Sequence, residues 1–250
     1  MKKHKREILK DVLIPIGVLV AALCIWQAAA WLTSAKATPV VTFSTILDVL
    51  KESVFWRSLG ATLLRALIAF AVSFVLAFFL AILSTNDIVS RIFSPIITAL
   101  RSVPTMAIVL VFILTVSANL TTILVGMLVL FPTFYAALLP AAKGINKDLI
   151  EISLVSGANK LQRLKYVYLP SMGPAAVENG IAGISLAIKL IVSAEVLAQT
   201  AKSIGMMMQT ARAYLELERL LALTILVVLI CIIIDAVGKA VVSGYFFVKK

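Results

Sequence analysis

Two groups of residues offer most of the chemistry in this sequence. The first is the stretch EISLVSGANKLQRLKYVYLP at 151–170, where a carboxylate, a glycine and several cations stand among apolar residues. Charged groups at that density suit charge-assisted hydrogen bonds to a partner surface or adsorption to anionic headgroups. The second group is Glu178, Ala182, Ser185, Lys189 and Ser193. At 100° per residue they fall within a helical stripe roughly 80° wide. Lys189 could attract an anion, or it could pair with a carboxylate such as Glu195 of a neighbouring chain. Other chemistries are excluded within one chain. His4 is the only histidine, and Cys24 and Cys231 are the only cysteines. One histidine in the basic N-terminal run and two cysteines inside apolar runs form no motif, and give no sign of a histidine-based metal site, a His-dependent triad or a disulfide framework. No G-x-x-x-x-G-K-[ST] loop is present to cradle phosphates.

The elements that must position these groups follow from composition. The chain has 250 residues, 62% hydrophobic and 14% charged, with a mean hydropathy of +1.08. Soluble domains carry about 25% charged residues, so the sequence reads as an all-α, polytopic membrane protein. The net charge of +11 is then a matter of topology, and no nucleic acid partner is expected. A helix needs about 20 mostly apolar residues to cross a bilayer. The spacing predicts about six spans: 12–32, 61–83, 105–116, 120–141, 175–199 and 220–242. The third is short and needs an earlier start near Ile96, with Pro104 as a kink. Ala35-Lys36-Ala37 resembles a signal-peptidase site, but the 21 apolar residues before it exceed the ~7–15 of a signal h-region. The first segment is expected to remain as a span. With the N-terminus inside, fifteen Lys and Arg fall in inside segments and five in outside ones. This bias predicts both termini and residues 142–174 in the cytoplasm.

Within 142–174, Asp148 followed by Glu151 resembles a capping box, and Gly157 can take the left-handed conformation of a turn. Leu154, Ala158, Leu161, Leu164 and Tyr168 share one side, with Lys160, Arg163 and Lys165 on other faces. Pro170 and Pro174 are expected to end the segment. A headgroup-bound helix and a docking element for a cytoplasmic partner both fit this pattern. Arg65, near the outer end of the second span, reads as a snorkelling anchor. Asp235 near the inner end of the last span reads the same way, or as a contact to a neighbouring helix. Gly180, Gly183 and Ala187 suit close helix approach. Met206-Met207-Met208 reads as flexible apolar packing.

Glu151, Gly157, Val167, Leu169 and Pro170 follow the spacing of the EAA motif: E-A-A, three residues, G, nine residues, I, one residue, L-P. The chain therefore resembles the membrane permeases of binding-protein-dependent ABC importers, and most of all the nitrate/sulfonate/taurine type. Thr62-Leu63-Leu64-Arg65 is similar to that family's S-L-x-R. Ser94-Pro95 with Leu100-Arg101-Ser102-Val103-Pro104 is similar to its D-P…L-R-x-x-P. Phe131-Pro132, Ala194-Glu195 and Asp235 fall where it has F-P, A-E and a late Asp, and Ser203-Ile204-Gly205 stands in place of G-L-G.

The resemblance implies a cytoplasmic coupling loop in which Asp148, Glu151, Gly157, Lys160, Leu161, Arg163, Leu169 and Pro170 meet a separate ATPase. Glu178, Ser185, Lys189 and Ser193 are the candidates to line a translocation path. The expected organisation is a basic tail (1–11), a first helix (12–32), an extracytoplasmic connector (33–58), a permease core (59–245) containing the coupling loop, and a basic end (246–250). The implied partners are two ATP-binding subunits, a second permease copy forming a homodimer, an extracytoplasmic substrate-binding protein and a small solute. The solute classes compatible with the wider family are nitrate, sulfonates, taurine-like molecules and a thiamine-precursor pyrimidine. No cofactor is expected in this chain, ATP and Mg being carried by the partner. The implied location is a bacterial cytoplasmic membrane, and the chain is not expected to be an enzyme. The alternative is an ion-gradient-driven secondary transporter or channel, which predicts two similar halves with broken helices.

Overall fold

The computed structural model describes residues 2–32 and 37–248, and every regular element among them is a helix. These are α1 (Lys2–Leu32), α2 (Pro39–Lys51), α3 (Ser53–Leu83), α4 (Asp87–Ser102), α5 (Thr105–Thr115), α6 (Ala118–Lys143), α7 (Lys147–Val155), α8 (Lys160–Arg163), a π-helical turn (Leu164–Tyr168), α9 (Leu169–Ala198), α10 (Ile204–Ala213) and α11 (Leu217–Val248). Ala35 and Lys36 of the signal-like triplet lie outside the described residues, as do Lys249 and Lys250.

Among the described residues, four helices are long and apolar enough to cross a bilayer: Ser53–Leu83, Ala118–Lys143, Lys160–Ala198 and Leu217–Ala240. They cover the second, fourth, fifth and sixth expected spans. The first expected span lies in α1, where Val20–Leu32 is apolar helix. The third span needs correction. α4 and α5 meet at 90°, so Pro104 marks a corner rather than a kink in one rod. Proline disfavours the helical region for the residue before it, and Val103 is extended (φ −74°, ψ 128°). The 11 residues of α5 reach only about 16 Å at 1.5 Å per residue, roughly half a bilayer.

α3, α6 and α9 pack on one another as the core. α3 and α6 run in the same direction and α9 runs against them. Arg65, Asn119 and Glu195 meet at one face of the bundle. At the opposite face the Tyr135 hydroxyl donates to Ser84, and Lys143 reaches Ser90. Between the faces lies an aromatic cluster in which Phe134 sits edge-on to Phe70 and Phe74, with centroids 5.5 and 5.2 Å away. Gly183 was expected to let another backbone approach, but it accommodates a ring. A Cβ there would lie 2.3 Å from Phe134. At Gly180 the nearest atom, on Phe74, is 3.9 Å away. Met207 and Met208 pack against the core, as expected.

Gly183→Val should therefore cost about 1–3 kcal/mol through overpacking and lower the thermal midpoint of the detergent-solubilised chain. Gly180→Ala should leave the midpoint in place. Equal midpoints for the two variants would contradict this packing.

Candidate functional site

Residues 144–168 form an elbow at one face of the bundle. Asn146 starts α7 by accepting the Asp148 backbone N–H at 2.9 Å, so the expected Asp148/Glu151 capping box does not form. Asp148 instead lies in the first turn, where its charge suits the helix dipole. Glu151 is exposed and takes part in no ion pair or side-chain hydrogen bond found among the described residues. Gly157 has the expected left-handed backbone, φ +74°. It closes α7 with paired bonds, Gly157 N–H to the Leu154 carbonyl and Ala158 N–H to the Ser153 carbonyl, both 3.0 Å. This is the Schellman pattern. A reciprocal capping box does exist, eight residues beyond Glu151, between Asn159 and Gln162 at 2.8 Å each way.

Pro170 does not end the segment. Residues Lys160–Ala198 form one continuous 39-residue helix, and the π-helical turn at Leu164–Tyr168 lies just ahead of the proline. Proline removes one donor from the helical ladder, and the wider turn shifts the bonding register there, with Leu169 N–H reaching the Leu164 carbonyl. The expected single apolar side of the elbow splits in two. Ile150, Leu164, Val167 and Tyr168 pack inward on the core. Leu149, Ile152, Val155 and Leu161 face outward, Val155 being 90% exposed. Lys160, Lys165, Leu169 and Pro170 are exposed beside them. Lys165 lies over the Tyr166 ring at 5.2 Å. Arg163 is half-buried, with no acceptor for its Nε among the described residues.

The stripe on α9 is only partly on the open face. Glu178, Ala182, Lys189 and Ser193 are exposed, and the Ser193 hydroxyl donates to the Lys189 carbonyl. Ser185 is buried and turned toward α11, where its hydroxyl meets the Asp235 carboxylate and, at 3.2 Å, the Cys231 carbonyl. Asp235 therefore contacts a neighbouring helix, one of the two expected readings. Lys189 has no ion pair or side-chain hydrogen bond among the described residues, and within the chain the carboxylate of Glu195 is held by Arg65.

Glu195 belongs to a cluster at the other end of α9 that the sequence reading missed. Its side chain is 0% exposed. Oε1 accepts Arg65 Nη1 at 2.8 Å, and Oε2 accepts the Thr62 hydroxyl at 2.9 Å and the Gly205 N–H at 3.3 Å. Arg65 also reaches Asn119 Oδ1 through Nε (3.1 Å) and Nη2 (2.8 Å), and the Ala201 carbonyl at 3.2 Å. Arg65 is thus no snorkelling anchor. It ties α3 to the starts of α6 and α10 and to the end of α9. The link between α9 and α10 is held tightly. Gln199 and Lys202 are left-handed, at φ 48° and 51°, a conformation that costs a non-glycine residue roughly 1–2 kcal/mol. The Thr122 and Thr200 hydroxyls bond at 2.8 Å across the corner. Gly205 is required here because a Cβ would lie 2.3 Å from that of Glu195. Three separate signals pointed to this clamp: the T-L-L-R opening of the second span, Ala194-Glu195, and Ser203-Ile204-Gly205.

Comparisons with known proteins agree with this architecture. Residues 73–246 match the family model described as binding-protein-dependent transport system inner membrane component. The riboflavin transport system permease protein RibX of Chloroflexus aurantiacus is 27% identical over 175 residues, covering 68% of this chain and 65% of that protein. The chain thus spans just under two thirds of that relative's length. The taurine transport system permease protein TauC of Escherichia coli is 24% identical over 245 residues, covering 93% of this chain and 88% of that protein. Among solved structures, the inward-facing MetNI methionine ABC transporter matches with a TM-score of 0.60 at 19% identity, over 76% of this chain and 93% of that one. A bacterial ABC transporter involved in the import of the acidic polysaccharide alginate matches with a TM-score of 0.70 at 14% identity, over 96% of both chains. The structural likenesses are of fold.

Removing one partner of a buried ion pair costs about 3–5 kcal/mol, because the other charge is left uncompensated. Arg65→Met and Glu195→Gln should each lower thermal stability by that order. In a double-mutant cycle the combined loss should fall well short of the sum. Strict additivity would show that the two residues do not interact.

Proposed function

We propose that this chain, which belongs to the family of binding-protein-dependent transport system inner membrane components, is the permease subunit of an ATP-driven importer rather than an enzyme, and that its 148–170 loop, the elbow, couples it to two cytoplasmic ATPase subunits. The observation that carries this reading is the outward face of the elbow. Leu149, Ile152, Val155 and Leu161 expose apolar surface, with Glu151, Lys160 and Lys165 among them. That pattern suits a groove with an apolar floor and a charged rim. The Glu151 side chain has no ion pair or hydrogen bond among the described residues, which suits it to accept one from the partner. Asp148, Gly157, Arg163, Leu169 and Pro170 shape and stiffen the elbow.

The mechanism is a two-state switch. The partner ATPases bind ATP and Mg, and their closure moves the elbows. The helix from Lys160 to Ala198 is 39 residues long, about 58 Å at 1.5 Å per residue, so it can carry that displacement from the elbow to the clamp. A second copy of the permease faces the open side of α9. Glu178, Lys189 and Ser193 line the path between the copies, and Ser185 supports it from behind. An unpaired lysine at membrane depth is costly against lipid, which favours a covered or wet face here.

In this arrangement the elbow and both termini are cytoplasmic, in a bacterial cytoplasmic membrane. Residues 1–11 and 246–250 are basic ends, 12–32 a first membrane helix, 33–58 the extracytoplasmic connector, and 59–245 the permease core, with 142–174 as its coupling segment. The clamp and α10 face the extracytoplasmic binding protein. The solute is small and bears an anionic group, as in the nitrate, sulfonate and taurine class.

Ile152→Asp and Val155→Asp place a charge on the proposed docking face without touching the core. Each should reduce co-purification of the ATPase, and the hydrolysis it shows in the complex, by at least about tenfold, or 1.4 kcal/mol. The amount of chain in the membrane should be unchanged. Full ATPase recovery with both variants would rule out the elbow as the coupling surface.

A further inference from the structure

At the end of the bundle that carries the clamp, α10 and the starts of α3 and α11 enclose a cavity of about 630 Å³. Four charged side chains line it: Arg57, Lys202, Glu216 and Arg219. Arg219 is already answered, its Nη2 donating to Glu52 at 2.7 Å, a bond that ties α11 to the corner between α2 and α3. Arg57, Lys202 and Glu216 are exposed and form no ion pair among the described residues. The cavity therefore holds two unanswered cations and one unanswered carboxylate. The Ser58 and Tyr214 side chains add hydroxyls. Its walls are fixed at both ends of α10, where Lys202 and Leu215 are left-handed at φ 51° and 59°.

The depth of the cavity follows from α3. Its apolar run at 61–83 is about 34 Å long at 1.5 Å per residue, enough for the hydrocarbon layer of ~30 Å. Residues 53–60, and Arg57 with them, then lie at headgroup level. Trp56 and Tyr214 are exposed there, and both are types enriched at membrane interfaces. Val54, Leu215 and Leu217 expose apolar surface around the charges, Leu215 being 88% exposed. An acidic protein surface would bring carboxylates that repel Glu216 and would leave that apolar rim without a chemical match. An anionic phospholipid brings a phosphate, hydroxyl donors and apolar chains in one molecule. We propose that the cavity seats the headgroup of such a lipid, of the phosphatidylglycerol type, with its phosphate between Arg57 and Lys202 and its glycerol hydroxyls donating to Glu216. The unanswered cations exceed the carboxylate by one charge, which matches a singly anionic headgroup better than the zwitterionic phosphatidylethanolamine. With the elbow cytoplasmic, as proposed, the leaflet is the outer one.

The permease–ATPase complex is placed in nanodiscs of phosphatidylglycerol and phosphatidylcholine in equal amounts and then moved into detergent. The lipid that co-purifies is quantified by mass spectrometry. Phosphatidylglycerol should be enriched at least about tenfold, a preference of 1.4 kcal/mol. The preference should persist when phosphatidylethanolamine replaces the choline lipid. Arg57→Gln alone should weaken it, and Arg57→Gln combined with Lys202→Asn should abolish it. Asparagine tolerates the left-handed backbone at position 202, and recovery of the ATPase reads the folding of each variant. Arg91→Gln removes an exposed cation of α4 and should leave the preference unchanged. Equal retention of the lipids, a preference intact in the double variant, or one lost with Arg91→Gln as well overturns the seat. The orientation is read separately on Arg212→Cys, in a chain whose Cys24 and Cys231 are replaced by alanine, with a membrane-impermeant maleimide on intact spheroplasts. Reaction supports the outer leaflet, and no reaction overturns that leaflet without touching the lipid preference.

Discussion

A bilayer core has no water to solvate a charge, so each ionisable group at membrane depth must be answered by protein or by a wet cavity. In this chain that constraint produces opposite results at two places on one helix. Glu195 is fully buried and accepts bonds from Arg65, Thr62 and Gly205. Lys189, less than two turns away, has no ion-pair partner among the described residues and lies on the open face. One end of α9 is locked into its own bundle, and its middle is left for something else to cover.

That division suits a moving part. Buried ion pairs add little net stability, and their best-attested role is fixing register or acting in switches. Here the pair fixes the α9–α10 corner against α3 and α6, with Gln199 and Lys202 held in a left-handed backbone between them. At the opposite end, the closed turn at Gly157 and the Asn159–Gln162 box keep the elbow stiff. A displacement applied at the elbow therefore reaches the clamp through continuous helix. In the proposed mechanism the membrane chain supplies a lever and a lined face, and the energy comes from its partners.

Much of this was legible in the sequence because it depends on local rules. Long apolar runs mark four spans, and Gly157 marks its turn because only glycine enters that conformation without cost. Helix starts were harder, since Asn146 and Asp148 are both good caps and only backbone geometry decides between them. Pro170 read as a stop because the π-helical turn that accommodates it has no sequence signature. Pro104 read as a kink, although the extended residue it imposes is enough to turn the chain by 90°. Ser185 shares the periodicity of Lys189 and Ser193 yet sits at the edge of the stripe, where α11 covers it. The clamp was hidden for a different reason. Its ion pair joins Arg65 to Glu195, 130 residues away, and Asn119 is 54 residues from Arg65, so periodicity within one helix cannot pair them.

To line a path, the open face of α9 must be wet rather than greasy. A water-soluble methanethiosulfonate reagent tests it on Lys189→Cys, in a chain whose Cys24 and Cys231 have been replaced by alanine. Val75→Cys, on the exposed apolar side of α3, serves as the lipid-facing reference. Modification at position 189 should proceed at least about tenfold faster than at position 75, as a water-lined face at that depth requires. Equally slow reaction at both positions would place Lys189 against hydrocarbon and contradict the path.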